Sequence, residues 1–180
     1  MTAVTISGQA SSSAALPIAH VFLRIVIVLN WLYGVAIFAL LFVAPNRDWI
    51  MRSFDLSPSP EADRLVMLLR AIAALGLATI PLNYIVLKRL LAIVETVRAG
   101  DPFVAANASR LQAIAWSLLA LEVLSIVIGA IARSVSTPAH PFNVDAGISI
   151  GGWLAVLLTF LLARVFAAGA LMRDDLEGTV

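Results

Sequence analysis

Hydrophobic and polar positions fall in long blocks along this chain. Four apolar runs, about residues 21–43, 65–87, 111–132 and 148–168, are separated by short polar segments. A helix rises 1.5 Å per residue, so each run is long enough to cross a hydrocarbon core of roughly 30 Å. The segment before the first run is rich in Ser, Thr and Ala and carries no charge. It lacks a basic start and a cleavage pattern, so residues 1–16 are expected to be a disordered tail and not a cleaved signal peptide. Pro45 stops the first run, and Trp49 follows where an interfacial aromatic belongs. Ser59, Pro60 and Glu61 then supply a cap, a first-turn proline and an early acid, which together start a helix. That helix is expected to continue past residue 87 to Ala99, a length of roughly 60 Å. It therefore protrudes from the membrane at its Lys88–Ala99 end, with a kink where Pro81 frees the carbonyl of Leu77.

The polar segment after it is the best punctuated in the chain. Gly100 suits the left-handed residue just past a helix end, because it has no Cβ. Asp101 then fits the cap of the next helix, with Pro102 at the first helical position. This spacing predicts a helical hairpin over about residues 88–110. Leu87, Leu90, Leu91, Val94 and Val97 on one arm recur at helical spacing, and Phe103, Val104, Leu111, Ile114 and Leu118 on the other offer a matching side. The hairpin reads either as a plain connector, with Asn107 and Arg110 solvated, or as a docking surface for a soluble partner.

Short connections make consecutive spans antiparallel, so the predicted fold is all-α: a four-span transmembrane bundle forming one domain over residues 17–180. The hairpin and both termini then share one end. That end collects Arg24, Lys88, Arg89, Arg98, Arg110, Arg164 and Arg173, against Arg47, Arg52, Arg64, Arg70 and Arg133 at the other. The richer end is expected to be cytoplasmic, in a bacterial inner membrane. Trp49 and Trp153 would mark the outer interface, Tyr84 and Trp116 the inner one.

Composition agrees. Hydrophobic residues make up 61% of the chain and charged residues 13%, far from the balance of a soluble domain. A net charge of +1 leaves no basic face for nucleic acid. There are no cysteines, which removes disulfides, thiolate metal sites and a cysteine nucleophile.

Candidate chemistry is sparse. Glu122 lies near the middle of the third span, where a carboxylate is costly and normally faces the interior. Arg70, just inside the outer end of the second span, is within reach by that placement. The two, with Asn30 and Asn83, form a candidate intramembrane polar site. It reads either as a proton-coupled or ligand-sensing site or as structural glue between helices. Arg164 is expected to snorkel. His20 and His140 fall on opposite membrane faces and cannot share a metal. Gly147 and Gly151 have the spacing of a close-packing motif, within the bundle or in a homo-oligomer. Asn107-Ala108-Ser109 fits a glycosylation sequon, taken as chance on a cytoplasmic hairpin. There is no Gly-rich phosphate loop, HExxH run or GxSxG elbow, so no enzyme and no cofactor are expected.

The run Gly100-Asp101-Pro102-Phe103, followed by Asn107, Arg110-Leu111 and Ile114-Ala115, resembles the signature of the bacterial membrane protein family called domain of unknown function 2975. The end of the chain, Gly169 to Val180 (GALMRDDLEGTV), is similar to that family's ending, although relatives often have an acid where Ala168 stands. The resemblance covers nearly the whole chain and implies a small bacterial integral membrane protein. Relatives are often encoded beside a small helix-turn-helix regulator, which the resemblance offers as a partner. Three function classes follow: a sensing or regulatory protein that meets such a partner through the hairpin and acidic tail; a small transporter or channel subunit using Glu122 and Arg70; and a membrane-embedded enzyme, for which no motif speaks.

Overall fold

The computed structural model describes residues 9–43, 52, 60–135 and 147–177. Pro45, Trp49, Ser59 and His140 lie outside the described residues. Four long helices account for the fold: α1 (Gln9–Val43), α2 (Pro60–Arg98), α3 (Ala105–Val135) and α4 (Ile150–Glu177). No strand occurs among the described residues. Each helix holds a stretch long and apolar enough to cross a membrane, namely Leu16–Ala39, Asp63–Arg98, Ala105–Ser134 and Ile150–Arg173. The all-α, four-span reading of the sequence is what the structure has.

Two boundaries differ from expectation. α1 begins at Gln9, so the second half of the expected disordered tail is helical. Adding Ala- and Ser-rich residues to an existing helix costs far less than nucleating one, which is why weak sequence signals suffice there. α2 starts at Pro60 as expected and runs unbroken through Pro81 to Arg98. α3 begins three residues later than Pro102, for a reason given below.

The helices pack in chain order: α1 against α2, α2 against α3, α3 against α4. Their directions alternate, as side-chain pairs show. His20 meets Glu95, and the Trp31 ring lies edge-on to Tyr84 with centroids 5.6 Å apart. Thr96 meets Asn107, and Trp116 stacks edge-on to Phe160 at 5.3 Å. The start of α1, the α2–α3 turn and the end of α4 therefore lie at one end of the molecule.

The core is small and sits beneath that turn. Leu111, Ile114 and Ala163 are its buried centre, with Val86, Leu90, Ile93, Leu118 and Phe166 packed around them. Elsewhere the helices approach through small residues. Gly34 of α1 faces Ile80 so closely that an added Cβ would lie 3.0 Å from Ile80 Cγ2. Ala132, Val156 and Ala170 are buried along α3 and α4. Large apolar side chains point outward, among them Phe22, Leu32, Val35, Leu157 and Leu161. This inversion suits acyl chains as solvent, where close backbone approach replaces burial as the packing force.

Candidate functional site

The α2–α3 turn is built around one side chain. α2 ends in a Schellman motif: the Gly100 N–H donates to Val97 O at 3.1 Å and the Asp101 N–H to Thr96 O at 3.0 Å. Gly100 has φ of 84°, the left-handed conformation expected from its lack of a Cβ. The chain then turns through Pro102 and Phe103 and enters α3 at Ala105, where the Asn107 N–H donates to Val104 O at 2.8 Å.

Asn107 is completely buried, the largest side chain of which this is true among the described residues. Its Nδ2 donates to Thr96 Oγ1 at 2.7 Å and to Pro102 O at 2.8 Å. Its Oδ1 accepts from Arg110 Nη1 at 2.7 Å. The amide orientation follows from these partners, since a flipped amide would set oxygen against oxygen at Pro102. Thr96 passes the chain on by donating its hydroxyl to Ile93 O at 2.7 Å. Arg110 also reaches back to Ala92 O at 3.3 Å. One amide thus ties the last two turns of α2, the turn itself and the first turns of α3. The solvated Asn107 and Arg110 of the connector reading are corrected: both are drawn inward, Asn107 to the Pro102 carbonyl, which needs a donor, and Arg110 to the Asn107 Oδ1.

Asp101 does not cap α3. Its carboxylate instead takes Arg173 from the far end of α4. With that acid engaged by a cation and Pro102–Phe103 consumed by the turn, helix geometry starts only at Ala105. Phe103 follows Asp101 onto α4, its ring 5.4 Å from that of Phe166, and a Cβ at position 169 would lie 3.0 Å from it. Gly169 is therefore needed where Phe103 packs. Neither Thr96 nor Arg173 was singled out as part of this cluster by sequence. A threonine one turn before a glycine C-cap carries no signal of its own, and the Asp101–Arg173 contact joins positions 72 residues apart.

The proposed intramembrane site is not assembled. Glu122 lies between α3 and α4, its carboxylate pressed against Gly152, where no Cβ fits. Glu122 Oε2 is buried and has no hydrogen-bond partner. Arg70 is remote from it. Thr96 opposite Asn107 and Ala92 opposite Arg110 fix the antiparallel register, so Glu122 lies level with Ile80 and Arg70 lies about ten residues, or ~15 Å, further away. The expected reach failed because it measured depth from assumed span ends. The register, set at the turn, places Arg70 level with Arg133.

Asn30 of α1 donates to Ile80 O at 3.2 Å, a helix-to-helix bond of the expected kind. Asn83 is half-buried and contributes no hydrogen bond among the described residues. Ser125 donates to Gly147 O at 3.3 Å and accepts from its N–H at 3.1 Å, holding the entry to α4, while Ser149 caps α4 by accepting from the Gly152 N–H at 3.1 Å. His20 Nε2 lies 3.5 Å from Glu95. Among the described residues no three His, Cys, Asp or Glu side chains converge as metal ligands would.

No curated protein and no solved structure matches this chain. One family does, over residues 12–180, nearly its whole length and including both the turn and the α4 end that carried the resemblance. The chain belongs to the family described as "Protein of unknown function (DUF2975)".

Proposed function

We propose that this multi-pass membrane protein acts without catalysis, as a sensing or regulatory component that presents its α2–α3 turn to a soluble partner in a bacterial cytoplasm. The observation that carries the reading is the buried Asn107, which is hydrogen-bonded on every side and fixes the turn in one shape. A rigid tip loses little conformational freedom when it is bound. Its outer residues, Arg98, Phe103, Ala105, Ala106 and Ser109, are exposed and offer a mixed basic and apolar surface. The partner that the family resemblance implies is the helix-turn-helix regulator encoded beside many relatives. Co-expressing the two and fractionating membranes tests this. The regulator is expected to sediment with wild-type membranes and to become soluble with Arg98→Glu/Ala106→Glu, two exposed changes that leave the Asn107 network intact. A regulator that stays soluble with wild type refutes the reading.

A second reading is favoured by one observation, the buried and unpartnered Oε2 of Glu122. It is a small transporter or channel subunit in which this carboxyl takes up and releases a proton, without Arg70. Proton flux in reconstituted vesicles that survives Glu122→Gln, or no flux in wild type, overturns it.

A further inference from the structure

Four basic side chains, at least one from each of three different helices, sit at one depth. On α1 and α2, His20 faces Glu95 and Trp31 faces Tyr84, so Arg24 lies level with residue 91 of α2. Lys88 and Arg89 are on α2 itself. On α3 and α4, Asp101 meets Arg173 and Glu122 meets Gly152, so Arg164 lies level with about residue 110. Arg110 in turn touches Ala92, which returns the level to the same turn of α2. Arg24, Lys88, Arg89 and Arg164 thus fall within about four residues, or ~6 Å, along the bundle axis.

All four are exposed, and none has an ion-pair partner among the described residues. No acid occurs in residues 20–29, 85–94, 105–116 or 159–169; the nearest, Glu95, lies about one turn nearer the tip, where it faces His20. Just below the cations lie aromatic rings from every helix: Trp31, Tyr84, Trp116 and Phe160. Lys88 Nζ stands 5.7 Å from the Tyr84 centroid. Below them no charge appears on α2 until Arg70, across residues 71–87, which measure ~26 Å as helix. Residues 25–43 of α1 are uncharged as well. A cationic ring, an aromatic girdle and then a hydrocarbon-length apolar slab is the sequence of environments a helix meets on passing from phospholipid headgroups into acyl chains.

We propose that Arg24, Lys88, Arg89 and Arg164 form a headgroup-binding ring that holds anionic phospholipids around the bundle at its turn end. Each cation keeps its stem along the apolar surface and its charge at the phosphate layer. With none of the four paired to a carboxylate among the described residues, lipid phosphates are the counter-ions that complete the ring. The ring also fixes how far the molecule projects: from Arg89 to Gly100 is about 11 residues, so the tip stands ~16 Å beyond the headgroup layer. The ring does not depend on whether that tip meets a partner.

The test uses the full chain reconstituted in phosphatidylcholine bilayers containing about one-third phosphatidylglycerol. Spin-labelled phosphatidylglycerol or phosphatidylcholine is added, and the motionally restricted fraction measured. Wild type is expected to prefer phosphatidylglycerol by about threefold or more at low salt, a preference that 0.5 M NaCl weakens. Replacing all four cations by Gln removes it, whereas Arg64→Gln/Arg133→Gln at the other end leaves it in place. If the fourfold variant does not fold, Arg24→Gln/Arg164→Gln, on the two outermost helices, halves the preference instead. Equal restriction of both lipids by wild type overturns the proposal. So does a preference untouched by the Gln changes, and so does displacement of the lipid by millimolar inorganic phosphate, which would make the ring a site for free anions.

Discussion

Asn107→Ala tests the claim that one amide organises the turn. The substitution removes three hydrogen bonds, to Thr96, Pro102 and Arg110, from a fully buried position. A neutral bond contributes about 1 kcal/mol net and one to a charged group about 1.5–3, so the bonds alone amount to about 4 kcal/mol. Thr96 keeps its bond to Ile93 and Arg110 its bond to Ala92, which moderates the loss. The half-buried Pro102 carbonyl loses a partner, which adds to it. For a chain of this size the net effect corresponds to a fall in Tm of about 10 °C. Thermal unfolding of the purified protein in detergent, followed by helix content, measures it. Ser109→Ala is the control, since its hydroxyl bonds only to Ala106 O within its own helix at an exposed site, and about 0.5 kcal/mol or less is expected. Asn107→Asp separates the two halves of the amide. It retains the acceptor for Arg110 but sets a carboxylate oxygen against Pro102 O, and should be nearly as damaging as Ala. If Asn107→Ala unfolds within 2 °C of Ser109→Ala, the turn is not held by this network.

Gly152→Ala puts a methyl where the Glu122 carboxylate lies and should destabilise by about 2 kcal/mol, with most of that loss disappearing in a Glu122→Ala background; additive losses in the double-mutant cycle would separate the two residues. Asp101→Ala breaks the contact with Arg173, but both side chains are more than a third exposed, so at most about 1 kcal/mol is expected and 0.5 M NaCl should erase the difference from wild type. Gly34→Leu drives a side chain into Ile80 and should separate α1 from α2, seen as loss of a disulfide engineered between positions 31 and 84; a bond that still forms at the wild-type rate rejects the close approach.

The helices were legible because their signals are local. Length, apolarity, Pro60 at a helix start and Gly100 at a helix end each act within a few residues, and all four helices and the left-handed glycine follow from them. The roles of Asp101, Asn107 and Glu122 were not legible in the same way. Asp101 has the right chemistry to cap α3, and only the arrival of Arg173 from the end of α4 draws it elsewhere. Asn107 looks like any polar residue in a first helical turn, until the Pro102 carbonyl, the Thr96 hydroxyl and the Arg110 guanidinium around it are in place. Arg70 and Glu122 are a reasonable pair on hydropathy alone. What separates them is a register of two helices, and register is set by contacts such as Thr96–Asn107 whose partners lie in different segments. Residues are readable from sequence where their neighbours are sequence neighbours.

That division also explains why the specific contacts gather at one end. Inside a bilayer the apolar side chains gain nothing by leaving lipid for one another, so the many exposed Leu, Val and Phe residues of α1 and α4 do not drive their helices together. What remains to choose partners and register is close approach at small residues and hydrogen bonding. Close approach occurs at Gly34 with Ile80 on α1, and at Gly152 with Glu122 and Gly169 with Phe103 on α4. Hydrogen bonds and ion pairs concentrate around the turn: His20 with Glu95 joins α1 to α2, Asn107 with Thr96 joins α2 to α3, and Asp101 with Arg173 ties α4 to the turn. Each helix after the first is thus joined to the structure before it by a polar contact at the same end. Packing in chain order follows from that, since an outer helix whose polar contacts all go to one neighbour, as those of α1 go to α2, and whose remaining surface is lipid-compatible has no physical reason to seek a second neighbour.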